Sequence, residues 1–379
     1  MDVRRWIIDW FKENVGVEED EIEEKYNENY LEIGWIDSFK FISFITEVEN
    51  NFNVNFSDEQ FQDRTFLTIS GFINSVESKI DGKMEVAVEE DTEKLVDEYE
   101  SVDIRSDTID DKNNVPLFRA KGFNIYYSDF IDALRESGVR KGDIIFVHSD
   151  VHVFGRLGNT DHDFILNSLI KCLKETVGDS GIIIMPAFTY SFCRNEVFDV
   201  EKSPATVGVL AEYFRKQPDV SRTEHPIYSV GIWGKDKSEW LNIGKDSFDS
   251  DSIFGKWYKK KGKLVFFGAS FQSCTFIHFI EQSYNVPYRY IKKFGGIIRK
   301  DDKEYEDECT FFVRYLDRNV ISDFTKFENY LLEKKLLKEV KIGHGKISTI
   351  EADALYREGY KLLERDLYFF LKEEPKQIN

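Results

Sequence analysis

Residues 181–190 read Gly-Ile-Ile-Ile-Met-Pro-Ala-Phe-Thr-Tyr. Three successive β-branched residues closed by Pro186 predict a short strand buried on both faces, because a half-exposed strand would alternate apolar and polar positions. Two other runs share that character: Asp143-Ile-Ile-Phe-Val-His148 upstream and Lys263-Leu-Val-Phe-Phe-Gly268 downstream. Around them lie segments of helical period. Ser128–Val139 opens on Ser128 as the expected N-cap; Asp161–Val177 and Ala205–Gln217 follow the same rule of apolar residues every three or four positions. Strands alternating with helices predict an α/β domain over 123–379, with a central sheet covered by helices.

The region before it differs. Residues 1–80 hold 18 acidic and 7 basic side chains, which is −11 of the chain's total −19, and contain no Pro. Val3, Trp6, Ile7, Trp10 and Phe11 mark one amphipathic helix. A polar acidic stretch, Glu18–Glu28, follows. Asp37-Ser38 then opens a second helix through Phe39, Ile42, Ile45, Val48 and Phe52, with Glu47 and Glu49 adding acid to it. Asn53–Ser57 reads as a loop, and Phe72, Ile73 and Val76 predict a last short helix. Residues 1–80 are therefore expected to form a small all-helical bundle. Residues 81–122 are charged and poor in apolar side chains, as expected of a linker, helical in part around Glu93–Glu100. The fold class is α+β or α/β in two parts, as a chain of 379 residues already favours.

Composition excludes several classes. A chain with 70 acidic and 51 basic residues offers no basic face for nucleic acid. Its four Cys (172, 193, 274, 309) show no C-x-x-C spacing, so neither a zinc knuckle nor a disulfide scaffold is expected. The first residues, MDVRRWIIDWFKENV, carry charges inside their apolar run, unlike a signal peptide. No run approaches the roughly 18 apolar residues that cross a bilayer. A cytoplasmic protein, with no membrane partner, is expected.

Of the six His, His148 ends a predicted strand, His225 lies in a turn before an apolar stretch, and His278 follows the strand that ends at Gly268. Strand ends in open α/β sheets are where ligand crevices form. A neutral imidazole near pH 7 can take a proton from an amine, and a carboxylate on its other nitrogen would hold the tautomer. Other readings stand beside these. His225, next to Pro226, could brace a turn. His278 could be a packed core residue, and Glu281 a surface carboxylate. His148, Asp150 and His152 share an i, i+2, i+4 spacing, but no metal site is expected there. Cys274 reads as structural, Gly343–Lys346 as a hairpin turn, and 255–263 (GKWYKKKGK) as a solvated connection that could also dock the acidic bundle.

Gly34-Trp-Ile-Asp37-Ser38-Phe39, followed by an acidic helix, resembles an acyl carrier protein. The resemblance covers about 1–80, with Phe39 where Leu is usual, and implies that a phosphopantetheinyl transferase loads an arm onto Ser38. Five words of the second domain resemble the aminoglycoside 3-N-acetyltransferase family: His148-Ser149-Asp150-Val-His152-Val-Phe-Gly155, Met185-Pro-Ala-Phe-Thr189-Tyr190, Thr206-Val207-Gly208-Val-Leu210, Arg222-Thr-Glu-His225-Pro-Ile-Tyr-Ser229 and Thr275-Phe-Ile-His278-Phe-Ile-Glu281. Asp150 replaces the family's second Ser, and Trp233 stands where a small residue is usual. The resemblance implies His225 as catalytic base with Glu281 as its partner. Ser149 is a suggested donor to the oxyanion. Ser149, Gly155, Thr206, Val207 and Ser229 are implied to seat pantetheine or coenzyme A, and Asp150, Thr189, Tyr190 and His278 the acceptor.

The expected function is N-acyl transfer from a pantetheine thioester, on Ser38 or on coenzyme A, to a small-molecule amine of an amino sugar or related secondary metabolite. Acyl-coenzyme A or an acyl-loading enzyme would supply the group. The alternatives are a docking bundle on a coenzyme A-dependent acetyltransferase, and a thioester hydrolase.

Overall fold

A computed structural model describes residues 2–30, 33, 35–36, 38–52, 54, 56, 65–86, 115–120 and 122–376. The chain divides into two compact units, 1–111 and 112–379.

The described part of the first unit contains α1 (Val3–Val15), α2 (Glu19–Glu24), α3 (Ser38–Phe52) and α4 (Ile69–Val86). The helically spaced apolar residues meet in one core. Ile7, Phe11, Phe44, Val48, Phe72 and Val76 are buried, and the Phe44 ring centre lies 4.7 Å from that of Phe72 and 5.3 Å from that of Phe11. Helix α4 is longer than the short helix expected and enters the span read as linker. The backbone makes Ser38 the first residue of α3. Its side chain, with Gly34, Asp37 and the helix expected around Glu93–Glu100, lies outside the described residues. Glu47 is exposed, whereas Glu49 is buried and does not add to an acidic face. Glu47 accepts from Trp10 Nε1 at 2.9 Å, and buried Glu49 accepts from the Phe56 N–H at 2.9 Å.

The second unit contains, in order, β1 (Phe118–Ala120), β2 (Phe123–Ile125), α5 (Tyr127–Ser137), β3 (Ile144–Ser149), β4 (Arg156–Leu157), α6 (His162–Val177), β5 (Ile182–Pro186), β6 (Phe198–Asp199), α7 (Val209–Arg215), β7 (Ser221–Arg222), β8 (Val230–Gly234), α8 (Ser238–Leu241), α9 (Ile253–Lys259), β9 (Lys263–Phe267), α10 (Phe276–Tyr284), β10 (Arg289–Lys300), β11 (Lys303–Arg314), α11 (Thr325–Glu333), β12 (Lys338–Ile342), β13 (Gly345–Glu351) and α12 (Ala352–Leu363). A seven-stranded sheet has the order β12-β13-β9-β3-β5-β8-β7. The three apolar runs are its centre: β9, β3 and β5 are parallel neighbours, and every residue of β5 and β9 is buried. Strand β8 runs antiparallel to β5, with Pro186 opposite Val230. The C-terminal ends of β9, β3 and β5 and the N-terminal end of β8 therefore share one edge of the sheet.

Four local expectations are revised. Ser128 is not the cap of α5; the cap is Tyr126, two residues earlier, and the Asp129 carboxylate accepts from the Tyr126 N–H at 2.8 Å. Helix α7 is confined to Val209–Arg215, because Gly208 at φ 107° cannot continue a helix upstream. The lysine-rich 255–263 is not merely solvated. Helix α9 is capped by Ser252 Oγ, which accepts from the Gly255 N–H at 3.1 Å, and buries Trp257 completely. Finally, β1 pairs with β2 and β4, so strand pairing begins within the span read as linker. Gly343-His344 forms a two-residue hairpin turn between β12 and β13, with Ile342 opposite Gly345. Among the described residues no helix is long and apolar enough to cross a membrane.

Candidate active site

The shared edge gathers the motif words. Beyond β5, the Ala187 N–H donates to Ser229 O at 2.8 Å and the Thr189 N–H to Ile227 O at 3.2 Å, which ties 187–189 to the turn before β8. Arg222 staples this junction. Its Nη2 donates to Ala187 O at 2.6 Å, its Nη1 to Ser203 O at 2.5 Å and its Nε to Ser229 Oγ at 3.1 Å. Ser229 Oγ donates in turn to Ala187 O at 2.6 Å and has no exposed surface. Ser229 therefore holds backbone rather than a cofactor, which corrects its expected role. Thr189 is likewise buried, and its Oγ1 donates to Pro226 O at 2.8 Å, so it does not line an acceptor site. Tyr190, half-buried at φ 55°, packs its ring 5.6 Å from that of Tyr228.

His225 sits in that turn, 4% exposed. Its Nδ1 accepts from the Tyr228 N–H at 3.1 Å and the Ile227 N–H at 3.3 Å. Its Nε2 lies 3.4 Å from Ser247 Oγ, which donates to Thr310 O at 2.8 Å. Two amide donors on Nδ1 leave the proton of the neutral ring on Nε2. Burial pushes His225 down to about 4, against the opposing field of Asp246. The ring is thus neutral at pH 7, but its lone pair is spent on the backbone. His225 presents a donor, not the base expected of it, and Glu281 is not its partner.

Glu281 pairs with His278 instead. The two share a face of α10 at i, i+3 spacing. His278 Nδ1 lies 2.6 Å from Glu281 Oε2, Arg289 Nε lies 2.8 Å from the same oxygen, and Tyr288 OH donates to Oε1 at 2.9 Å. Glu281 has no exposed surface. Burial would raise its pKa, but Arg289, His278 and Tyr288 prevail and hold it below the usual carboxylate range. Burial, then Arg289, push His278 below the usual imidazole range, with Glu281 opposing. The outcome is an ionised carboxylate accepting from Nδ1–H of a neutral imidazole. His278 Nε2 then carries a free lone pair with no protein partner among the described residues, on a side chain 19% exposed. This is the arrangement general-base chemistry requires.

The segment 245–248 lies between the two histidines. Asp246 accepts from Gln282 Nε2 at 2.7 Å and from Thr310 Oγ1 at 2.5 Å; the Phe248 ring is 5.5 Å from the His278 ring. A cavity of about 420 Å³ opens beside His225, with Glu224, Asp307, Glu308 and Lys245 in its walls. Asp307 and Glu308 come from β11. The sequence reading missed them, although the acidic run Glu304–Glu308 was visible. Lys300 pairs with Glu224, and Lys245 with Asp307.

Beyond β3, His148 Nε2 and Ser149 Oγ are buried without a partner among the described residues. Asp150 pairs with His152. Gly208, at φ 107°, approaches so closely that a Cβ would stand 3.3 Å from Ser149 O. Thr206, exposed at this point, donates from N and Oγ1 to Phe188 O at 2.9 and 3.1 Å. Ser149 and the Thr206–Gly208 turn are thus neighbours, with half-buried Val207 in that turn. Gly155 serves another purpose: a Cβ there would meet Arg119 O at 2.5 Å, so its role is to admit β1. Burial pushes the Cys274 thiol up to about 12, so it stays protonated. Among the described residues no group of His, Cys, Asp or Glu is arranged to hold a metal ion.

Residues 146–364 match the family described as aminoglycoside 3-N-acetyltransferase, and residues 5–73 match the phosphopantetheine attachment site. The SPbeta prophage-derived aminoglycoside N(3')-acetyltransferase-like protein YokD of Bacillus subtilis (strain 168) is 29% identical over 202 residues, which is 46% of this chain and 72% of that protein. The fold is similar to that of AAC-IIIb in its binary complex with CoASH (TM-score 0.55, 22% identity, 66% of this chain and 98% of that one). It is also similar to AAC-VIa bound to sisomicin (TM-score 0.54, 19% identity, 63% and 97%).

Buried neutral His225 makes stability depend on acid. An unfolded histidine titrates near 6.5, whereas His225 titrates at about 4. Its contribution is present above pH 6.5 and is lost as pH falls, by roughly 3 kcal/mol at pH 4. Urea unfolding of the full chain at pH 7 and pH 4 should show a smaller loss in His225→Asn than in the native protein; equal losses would refute the assignment.

Proposed function

Because the chain belongs to the aminoglycoside 3-N-acetyltransferase family and carries a phosphopantetheine-attachment domain ahead of it, we propose that it moves an acyl group from a pantetheine thioester to an amine of an amino sugar or related metabolite. The enzyme is an acyltransferase. The observation that carries the mechanism is the 2.6 Å contact between His278 Nδ1 and a Glu281 carboxylate without solvent exposure.

In this reading His278 is the base. A pantetheine thioester, when bound, supplies the activated carbonyl. The acceptor amine gives a proton to His278 Nε2 as its nitrogen bonds to the carbonyl carbon. Glu281 stabilises the imidazolium, and the proton returns to the departing thiolate. Ser149 Oγ, unpartnered, is suited to donate to the oxyanion. The walls contributed by Glu224, Asp307 and Glu308 suit a cationic amino sugar. Ser38, first in a helix of 15 residues, is the proposed attachment point of the arm, because a helix N-terminus favours a phosphodiester. A donor tethered in cis would raise its local concentration to about millimolar.

His278→Ala should lower kcat by about 10²–10⁴-fold, with acceptor KM little changed. The depressed pKa keeps His278 unprotonated at pH 7, so the native rate should fall only below the ordinary histidine range of about 6.5. Glu281→Gln should shift that limb and lower kcat. Native turnover in His278→Ala would discard the assignment. For the carrier, intact mass after incubation with a phosphopantetheinyl transferase and coenzyme A should rise by one arm in the native protein and not in Ser38→Ala; no rise in either removes Ser38 from the scheme.

A further inference from the structure

A second cavity of about 420 Å³ stands apart from the one beside His225, and the two share no lining residue. Helices α9, α10 and α12 supply much of its wall, through Tyr258, Phe279, Gln282, Ser283 and Tyr356. Three features of that wall point to one kind of ligand. The first is aromatic. Ring centres of half-buried Tyr258 and Tyr356 are 4.6 Å apart, and Phe279 lies 5.8 Å from each. Such faces carry the negative end of the ring quadrupole and attract cations. The second is an acceptor. The Asp246 carboxylate accepts from the Phe248 N–H at 2.9 Å and from Gln282 Nε2 at 2.7 Å. Only the amide nitrogen can donate to it, so the Gln282 carboxamide has one orientation. Gln282 Oε1 is then buried without a partner among the described residues, and a ligand N–H would satisfy it. The third is charge. Asp249 Oδ1 accepts from the Asp251 and Ser252 N–H groups at 2.9 and 2.8 Å. Burial, then the negative charge of Asp246, nevertheless push the Asp249 carboxyl above its ordinary value. A cation beside it would offset both. Lys259, the ammonium of this wall, is directed elsewhere, to Ser250 O at 2.8 Å and Asp251 at 3.6 Å.

We infer that this aromatic cavity is a binding site for a primary organic ammonium with an apolar body. Its N–H donates to Gln282 Oε1, its charge lies near Asp249, and its body rests on Tyr258, Phe279 and Tyr356. A carboxylate ligand would meet Asp249, and a hydrocarbon would leave Gln282 Oε1 without a donor. The assignment goes beyond the acyl-transfer reading and does not depend on it, because it places no reacting atom in the cavity.

The test titrates benzylamine, protonated at pH 7, into the full chain by ligand-observed NMR, with benzyl alcohol and benzoate as isosteric controls. Benzylamine should bind at least tenfold more tightly than benzyl alcohol, and benzoate should not bind. Asp249→Asn keeps the acceptor for both backbone N–H groups and removes only the charge; it should raise Kd about fivefold. Tyr356→Leu removes one ring face and should raise Kd by a similar factor. Ser283 is exposed on α10, so Ser283→Trp should fill the cavity and abolish binding. Asp307→Asn, in the wall of the cavity beside His225, should leave Kd unchanged. No binding of benzylamine, equal binding of benzyl alcohol, or a Kd that responds to Asp307→Asn and not to Asp249→Asn would each overturn the assignment. None of these outcomes touches the acyl-transfer reading, which His278→Ala tests separately.

Discussion

A carboxylate removed from water costs several kcal/mol unless charge and hydrogen bonds are restored around it. Glu281, with no exposed surface, meets that condition through Arg289, Tyr288 and His278 together. The rest of the site follows from this cluster. Arg289 is the first residue of β10, so the ion pair fastens the β10–β11 hairpin to α10. The hairpin then delivers Thr310 to Asp246 and Ser247, and Ser247 to His225. It also delivers Asp307 and Glu308 to the acidic cavity. One buried charge thereby orients an imidazole and registers the acidic wall of the cavity.

The two histidines differ in what occupies their nitrogens rather than in how deeply they lie. Both rings are held neutral by burial. His225 Nδ1 is saturated by two backbone amides, which makes the ring a brace between its own turn and residues 245–247. His278 Nδ1 faces a carboxylate, which releases Nε2 for chemistry. Basicity at the reacting atom is therefore a property of the partner on the opposite nitrogen.

Much of the fold was legible because local chemistry and tertiary environment agree. Continuous apolar runs at Ile144–Ser149, Ile182–Pro186 and Lys263–Phe267 can only be central strands, and Asp161 caps α6 by accepting from the Phe164 N–H at 3.0 Å. The misreadings arise where a neighbour decides. Ser128 resembles a cap, but Asp129 reaches back to Tyr126. The five lysines of 255–263 disguised Trp257, whose burial depends on packing against Phe146 and Phe276. At the site, the motif words identified the right edge of the sheet but not the pairing across it. The i, i+3 spacing of His278 and Glu281 was the usable signal; the backbone amides on His225 Nδ1 have no signature in composition or spacing.

The tautomer of His278 is the point on which the mechanism turns. Nitrogen-15 NMR of the ring-labelled full chain at pH 7, with His278 assigned by its loss in His278→Gln, reads it directly. A protonated Nδ1 and an unprotonated Nε2 are expected, retained below the pH at which an unfolded histidine titrates. A proton on Nε2, or an imidazolium at neutral pH, would contradict the account.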